Sequence, residues 1–132
     1  MSGDPYSAEV RRRFAHPVHA GDLPVGHARA ASAAAADSAA GCRLLVAAAV
    51  EGRVLRTMRF RAFGCPHLIA AAELACEECE GRAISALEQV SAPVIMERLA
   101  VPVEKTGRIL LLEDALGALA AKLAEGTNGT EN

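Results

Sequence analysis

From Cys42 onward the chain alternates apolar and polar positions with a period of two. Cys42, Leu44, Val46 and Ala48 alternate with Arg43, Leu45 and Ala47. After Glu51-Gly52, Val54, Met58, Phe60 and Ala62 alternate with Leu55, Thr57, Arg59 and Arg61, and Arg56 is the one charge in the apolar register. Two such runs about a short glycine-containing link predict an antiparallel hairpin with one face buried. The pattern then changes to helical spacing. Gly64-Cys65-Pro66 opens a helix carrying Leu68, Ile69, Ala72, Cys76 and Cys79 along one side, closed by Gly81.

The rest reads mostly as helix. Tyr6–Ala15 predicts a short helix ended by Pro17, and residues 17–26 a loop. Residues 84–90 form a short helical piece, and Pro93 opens another helix to about Ala100. Val101-Pro102-Val103 is extended. Thr106–Ala124 is a long amphipathic helix with Ile109, Leu112, Leu116, Leu119 and Leu123 on one side. Residues 126–132 form a polar tail expected to be disordered. Residues 28–41, alanine at nine of fourteen positions, favour helix on propensity alone. A hairpin with several helices makes an α+β class, the helices on one face of the sheet, in a single domain over residues 1–125.

Composition narrows the functions. At 132 residues with a formal net charge of −2, the chain offers no electrostatic case for nucleic acid or a phospholipid surface. Arg11-Arg12-Arg13 reads as a solvated face. No apolar run reaches the ~18 residues of a membrane span, and the N-terminus has no signal-peptide pattern. Four cysteines in that setting predict reduced thiols in a cytoplasmic protein.

Candidate chemistry starts at Cys65. Before a proline at the first helical position it is the expected N-cap, its sulfur beside unpaired amides and the positive end of the helix dipole, which favours a thiolate. His67, two residues on, is either a ligand or a surface histidine. Cys76 lies eleven residues beyond Cys65, about 16 Å along a helix, so neither it nor Cys79 can share a metal with Cys65. Those two, with Cys42, read as core residues. His16, His19 and His27 read as solvated side chains.

Particular residues, in order, resemble a known family. Tyr6-Ser7-x-x-Val10, Pro17, Gly21, Glu51-Gly52, Phe60-x-x-Phe63-Gly64-Cys65, Gly81 and Leu110-x-x-Glu113-Asp114-Ala115 are similar to the IscU/NifU N-terminal iron–sulfur scaffold family. The likeness runs without a gap from about residue 38 to 120. It implies a three-stranded antiparallel sheet with helices on one side, as in IscU and SufE proteins, and so a further strand before Cys42, near Val25–Ser32. It also implies a scaffold rather than an enzyme, served by a cysteine desulfurase or other assembly proteins.

The family site has three cysteines, an aspartate and a histidine, and iron–sulfur clusters require such soft ligands. Here only Cys65 remains. The family's first cysteine falls on Ser38, its aspartate on Ala40, and its histidine and last cysteine on Gly107 and Arg108. Asp37 stands three residues from the lost aspartate. Val101–Lys105 partly resembles the motif held by the scaffold's dedicated chaperone. The resemblance thus implies a degenerate scaffold binding iron, an iron–sulfur cluster or zinc weakly, or not at all, through Cys65 with His67 and Asp37. Two alternatives stand beside it. One is a SufE-like persulfide acceptor at Cys65, with Arg108 stabilising the thiolate. The other is a non-catalytic binding module for the desulfurase or another assembly protein.

Overall fold

Apolar alternation in β2 (Cys42–Glu51) and β3 (Val54–Phe63) builds the hairpin, and β1 (Ala30–Asp37) completes a sheet of order β1-β2-β3, antiparallel throughout. The computed structural model describes residues 6–24 and 29–130, side chains of 126–130 excepted. β1 begins later than the strand expected near Val25–Ser32, and residues 25–28 lie outside the described part. Its position follows from its partner. Pairing Asp37 with Cys42 leaves a four-residue turn, and each further pair steps back to Ala30 against Ala49. Strand pairing overrides alanine's helical preference, because β2 offers an open edge and a buried face on which Ala33 packs at 4 % exposure.

The alternation of β3 breaks where the odd charge stands. Ala49 pairs with Thr57 but Val50 pairs with Leu55, so Arg56 is an extra, unpaired residue in a bulge. A bulge flips the phase of every residue beyond it. Leu55, expected on the polar face, is therefore buried, while Val54 and Arg56 face out, Arg56 against Glu51 at 3.2 Å.

The helices cover one face. Of α1 (Ala8–Ala15), α2 (Pro66–Cys79), α3 (Ala92–Leu99) and α4 (Thr106–Thr130), α2 and α4 pack on the sheet and α1 and α3 pack on those helices, with α2 buried between β3, α1 and α4. α2 is accordingly buried nearly all round, well beyond the single expected stripe. The piece at 84–90 is a 3-10 helix over Ile84–Gln89. Val103–Lys105, expected partly extended, is a single 3-10 turn leading into α4. α4 runs past Gly126, taking in most of the tail expected to be disordered. Cys42, Cys76 and Cys79 are each 1 % exposed, as core residues should be. No helix among the described residues is long and apolar enough to cross a membrane.

Polar side chains also pin the layers together. Arg13, expected on a solvated face, is buried and holds Glu77 of α2 at 3.0 Å and Glu9 of its own helix. His19, expected to be solvated, lies between Glu73 Oε2 at 2.6 Å and Glu80 Oε1 at 3.1 Å. Glu73 is 1 % exposed and its other oxygen accepts the His19 amide at 2.8 Å. This anchors residues 19–21 along β3, where Phe60 N–H donates to the His19 carbonyl and Gly21 N–H to the Phe60 carbonyl. Burial opposes charge on the imidazole, but the two carboxylates outweigh it and raise its pKa.

Candidate functional site

β3 delivers the chain to α2 through Gly64, and the junction is tight. Gly64 has φ +110, which side chains rarely adopt, and a methyl group there would collide with the Gly41 carbonyl oxygen and sit 3.3 Å from Cys42 Cα. The β1–β2 turn is thus pressed against the turn that presents Cys65. Cys65 is the N-cap of α2 with extended backbone, and its carbonyl accepts the first helical bond from Ile69 at 3.1 Å. Its sulfur makes no capping bond. Instead Sγ faces His67 Nδ1 at 4.0 Å. Cys42 and Cys79, by contrast, direct their thiols to backbone carbonyls.

His67 is 2 % exposed, so the surface reading of this histidine is wrong. The helical turn after Pro66 points its ring inward, against the Tyr6 ring at 4.9 Å between centroids. Nε2 has no hydrogen-bond partner. Burial, then the charges of Lys105 and Arg108, push the His67 pKa down, only partly offset by Glu104. The imidazole is therefore neutral at pH 7. Both cations belong to the start of α4 and the turn before it, so the helix carrying Gly107 and Arg108 does reach this site.

The remaining expected residues are more scattered. Asp37 Oδ1 accepts the Ala40 amide at 3.2 Å, a local task within the β1–β2 turn. Ser38 is exposed and Ala40 half-buried in that turn. Among the described residues no three His, Cys, Asp or Glu side chains lie close enough to hold one metal. The structure brings Cys65 and His67 together, with Arg108 near, and does not bring Asp37 to them.

The sequence assigns no site role to Tyr6 or Lys105 and does not pair His19 with Glu73. Glu73 carried a signal, because a lone carboxylate inside Leu68–Cys76, otherwise apolar, demands a buried partner. Nothing in one dimension named His19 as that partner.

A three-stranded antiparallel sheet, helices on one face, and a cysteine at the strand-to-helix junction beside the first strand turn define an α+β scaffold-type domain. The family model of the NifU-like N-terminal domain matches residues 5–128, and the chain belongs to that family. It is 30 % identical over 118 residues to the iron–sulfur cluster assembly scaffold protein IscU of Azotobacter vinelandii, covering 86 % of this chain and 89 % of that protein. It is 27 % identical over 111 residues to the iron–sulfur cluster assembly protein IscU of Plasmodium falciparum, covering 84 % and 68 %. With iron sulfur cluster assembly protein 1 of Trachipleistophora hominis it shares 35 % identity over 69 residues, and the match spans half of that protein's length. Among solved structures, a protein described as an iron–sulfur cluster assembly scaffold for the SUF system, from Fervidobacterium islandicum, superposes with a TM-score of 0.71 at 16 % identity, over 87 % of this chain and 96 % of that one. A NifU-like N-terminal domain from Brucella abortus gives 0.70 at 14 %, over 90 % and 94 %. These two establish likeness of fold.

Proposed function

We propose that this chain acts in iron–sulfur cluster assembly as a scaffold-type protein with a reduced site, holding iron or a cluster weakly through Cys65 and His67. The relatives' names support the assembly system. The observation that carries the reading is the Cys65 thiol facing a neutral His67 imidazole at the junction where the family presents a ligand. Two donors fall short of the four that clusters ordinarily take. Cargo would then be held loosely, or completed by donors from elsewhere, such as Asp37 after the turn rearranges. The role is one of carriage and binding rather than catalysis, in the cytoplasm, with a cysteine desulfurase or other assembly proteins as partners. A groove of about 910 Å³, lined by Leu45 and Phe63 of the sheet and by Phe14 of α1, all three exposed, supports a partner surface.

One observation favours the second reading, persulfide acceptance at Cys65. Arg108 stands where a thiolate ligand would be, and with Lys105 it places positive charge beside the site. Such charge stabilises a sulfur anion and opposes a ferrous ion. Anaerobic reconstitution with iron and sulfide, on wild type and Cys65→Ser, separates the readings. The scaffold reading expects Cys65-dependent iron that is largely lost on desalting. A wild-type chain that takes up no more iron than the serine variant, yet accepts sulfane sulfur from a desulfurase at Cys65, would replace it with the transfer reading.

A further inference from the structure

We propose that β1 is a dimerisation strand: the outer edge of Ala30–Asp37 pairs antiparallel with the same edge of a second copy of this chain, joining two three-stranded sheets into one of six strands. The inference stands apart from cluster assembly and does not need it to be true.

The two edges of the sheet are treated differently. On β3, outward amides are taken up by distant segments. Leu55 N–H donates to the Arg82 carbonyl at 2.7 Å, Met58 N–H to Glu80 Oε2 at 2.8 Å, and Phe60 N–H to the His19 carbonyl at 3.0 Å. β1 has no such cover. The Arg29 carbonyl accepts Val50 N–H at 3.0 Å, so the odd-numbered residues from 29 to 37 turn their backbone groups to β2. Ala30, Ser32, Ala34 and Ala36 therefore turn theirs outward. Among the described residues the one hydrogen-bond partner on that edge is Lys122 Nζ, which donates to the Ser32 carbonyl at 2.6 Å.

An edge of this kind accepts another strand unless something blunts it, and lysine, proline, bulges or inward charges are the usual means. β1 has no proline and no charge before Asp37, and its register against β2 runs from Ala30 to Asp37 without a shift. The four outward residues are exposed and small, so a neighbouring strand at ~4.8 Å meets no obstacle. Lys122 takes one of the two lone pairs on the Ser32 carbonyl and leaves the other for a strand. α4 reaches the edge at Lys122, and its exposed residues nearby, Gly117, Ala118 and Ala121, are small, which leaves room for the second copy's α4 beside it.

The ends of the strand select a second copy as the occupant. Arg29 stands just before β1 and Asp37 closes it, with seven uncharged residues between. Antiparallel pairing with Ala33 opposite Ala33 sets Ser32 against Ala34 and Ala30 against Ala36, so all four outward residues of each strand find partners. The same register brings Arg29 of one copy opposite Asp37 of the other, twice. The Arg29 guanidinium also donates to the carbonyls of Gly52 and Leu123, which fixes it at this end of the strand. A shift of two residues either way loses a hydrogen-bonded pair and separates the charges, and parallel in-register pairing sets like charges together. A two-fold pairing is closed, so assembly stops at two copies.

The test is sedimentation equilibrium of the reduced full chain, from micromolar to millimolar concentration, on wild type and Ala34→Pro. Proline at this position removes an outward N–H and puts its ring on the edge, while the ladder to β2 loses no donor. Wild type should dimerise reversibly, and Ala34→Pro should raise the dimer dissociation constant by about tenfold or more. Far-UV circular dichroism establishes that the variant is folded. Cross-linking reads the register independently of the proline variant. The four native cysteines are buried, so one introduced thiol on the edge reports alone. Under mild oxidation, Ser32→Cys mixed with Ala34→Cys should give a cross-linked heterodimer, because the two residues stand opposite at about 5.5 Å between Cα atoms. Ser32→Cys by itself, roughly 7–8 Å apart on the diagonal, should not cross-link. A wild-type chain that stays monomeric throughout, a folded Ala34→Pro that dimerises as wild type does, or Ser32→Cys that cross-links to itself as readily as to Ala34→Cys would each overturn the proposal.

Discussion

Gly64→Ala is the sharpest test of how the fold presents Cys65. At φ +110 an alanine is strained whatever the space around it, and such backbone conformations cost a side chain on the order of 1–3 kcal/mol. Space is also lacking. The new methyl would overlap the Gly41 carbonyl oxygen and lie 3.2 Å from the Gly41 carbonyl carbon, both backbone atoms that no rotamer change can move. The β1–β2 turn and the β3–α2 junction would have to separate, and overpacking of that kind adds about 1–3 kcal/mol. The sum is roughly 2–6 kcal/mol, a fall in Tm on the order of 10 °C or more for a domain of this size. Urea and thermal unfolding measure it, and Gly117→Ala is the matched control. Gly117 lies within α4 with nothing near its missing methyl, so alanine there should stabilise by about 0.5–1 kcal/mol. In Gly64→Ala the alkylation rate of Cys65 should rise as the junction opens. A Gly64→Ala protein within about 0.5 kcal/mol of wild type, or one no different from Gly117→Ala, would refute the argument.

Three further outcomes are expected. In the native protein, alkylation at neutral pH should label Cys65 first, because burial pushes the Cys76 thiol far up and the Cys79 thiol up to about 11, the latter against Arg82; equal labelling of all four thiols would contradict the assigned core. Restoring the family's ligands with Ser38→Cys, Ala40→Asp, Gly107→His and Arg108→Cys should produce a brown, stable cluster on reconstitution. Gly107 has open space for a side chain, and the β1–β2 turn already touches Gly64, so a folded but colourless variant would show that these positions do not converge. Finally, His19 should make stability pH-dependent. Its pKa is raised in the folded chain, so its contribution is complete below the unfolded value near 6.5 and fades as pH rises through the folded value. Urea midpoints of His19→Ala and wild type should therefore converge toward alkaline pH, and a constant difference from pH 5.5 to 9 would rule the effect out.

Much of the fold was legible in one dimension because local rules agree with it. Alternation marks β2 and β3, Pro66 and Gly81 bracket α2, and the apolar side of α4 follows its 3.6-residue spacing. The cysteine at the strand-to-helix junction was equally visible, since proline at the first helical position and the glycine before it place Cys65 by local geometry alone. What tertiary structure decided lies where two distant segments bargain over the same atoms. The alanine run is a strand because β2 had an edge to offer, against its own propensity. Arg56 breaks the alternation because the Ala49–Val50 register shifts, and that shift turns Leu55 inward. His67 is buried with the Tyr6 ring against it and within reach of the charges of Lys105 and Arg108, residues from opposite ends of the chain. His19 and Glu73, 54 residues apart, meet because a carboxylate inside an apolar helix can be buried only with a partner. Periodicity reports which face of an element is apolar, but long-range pairing sets which charges stand beside a thiol.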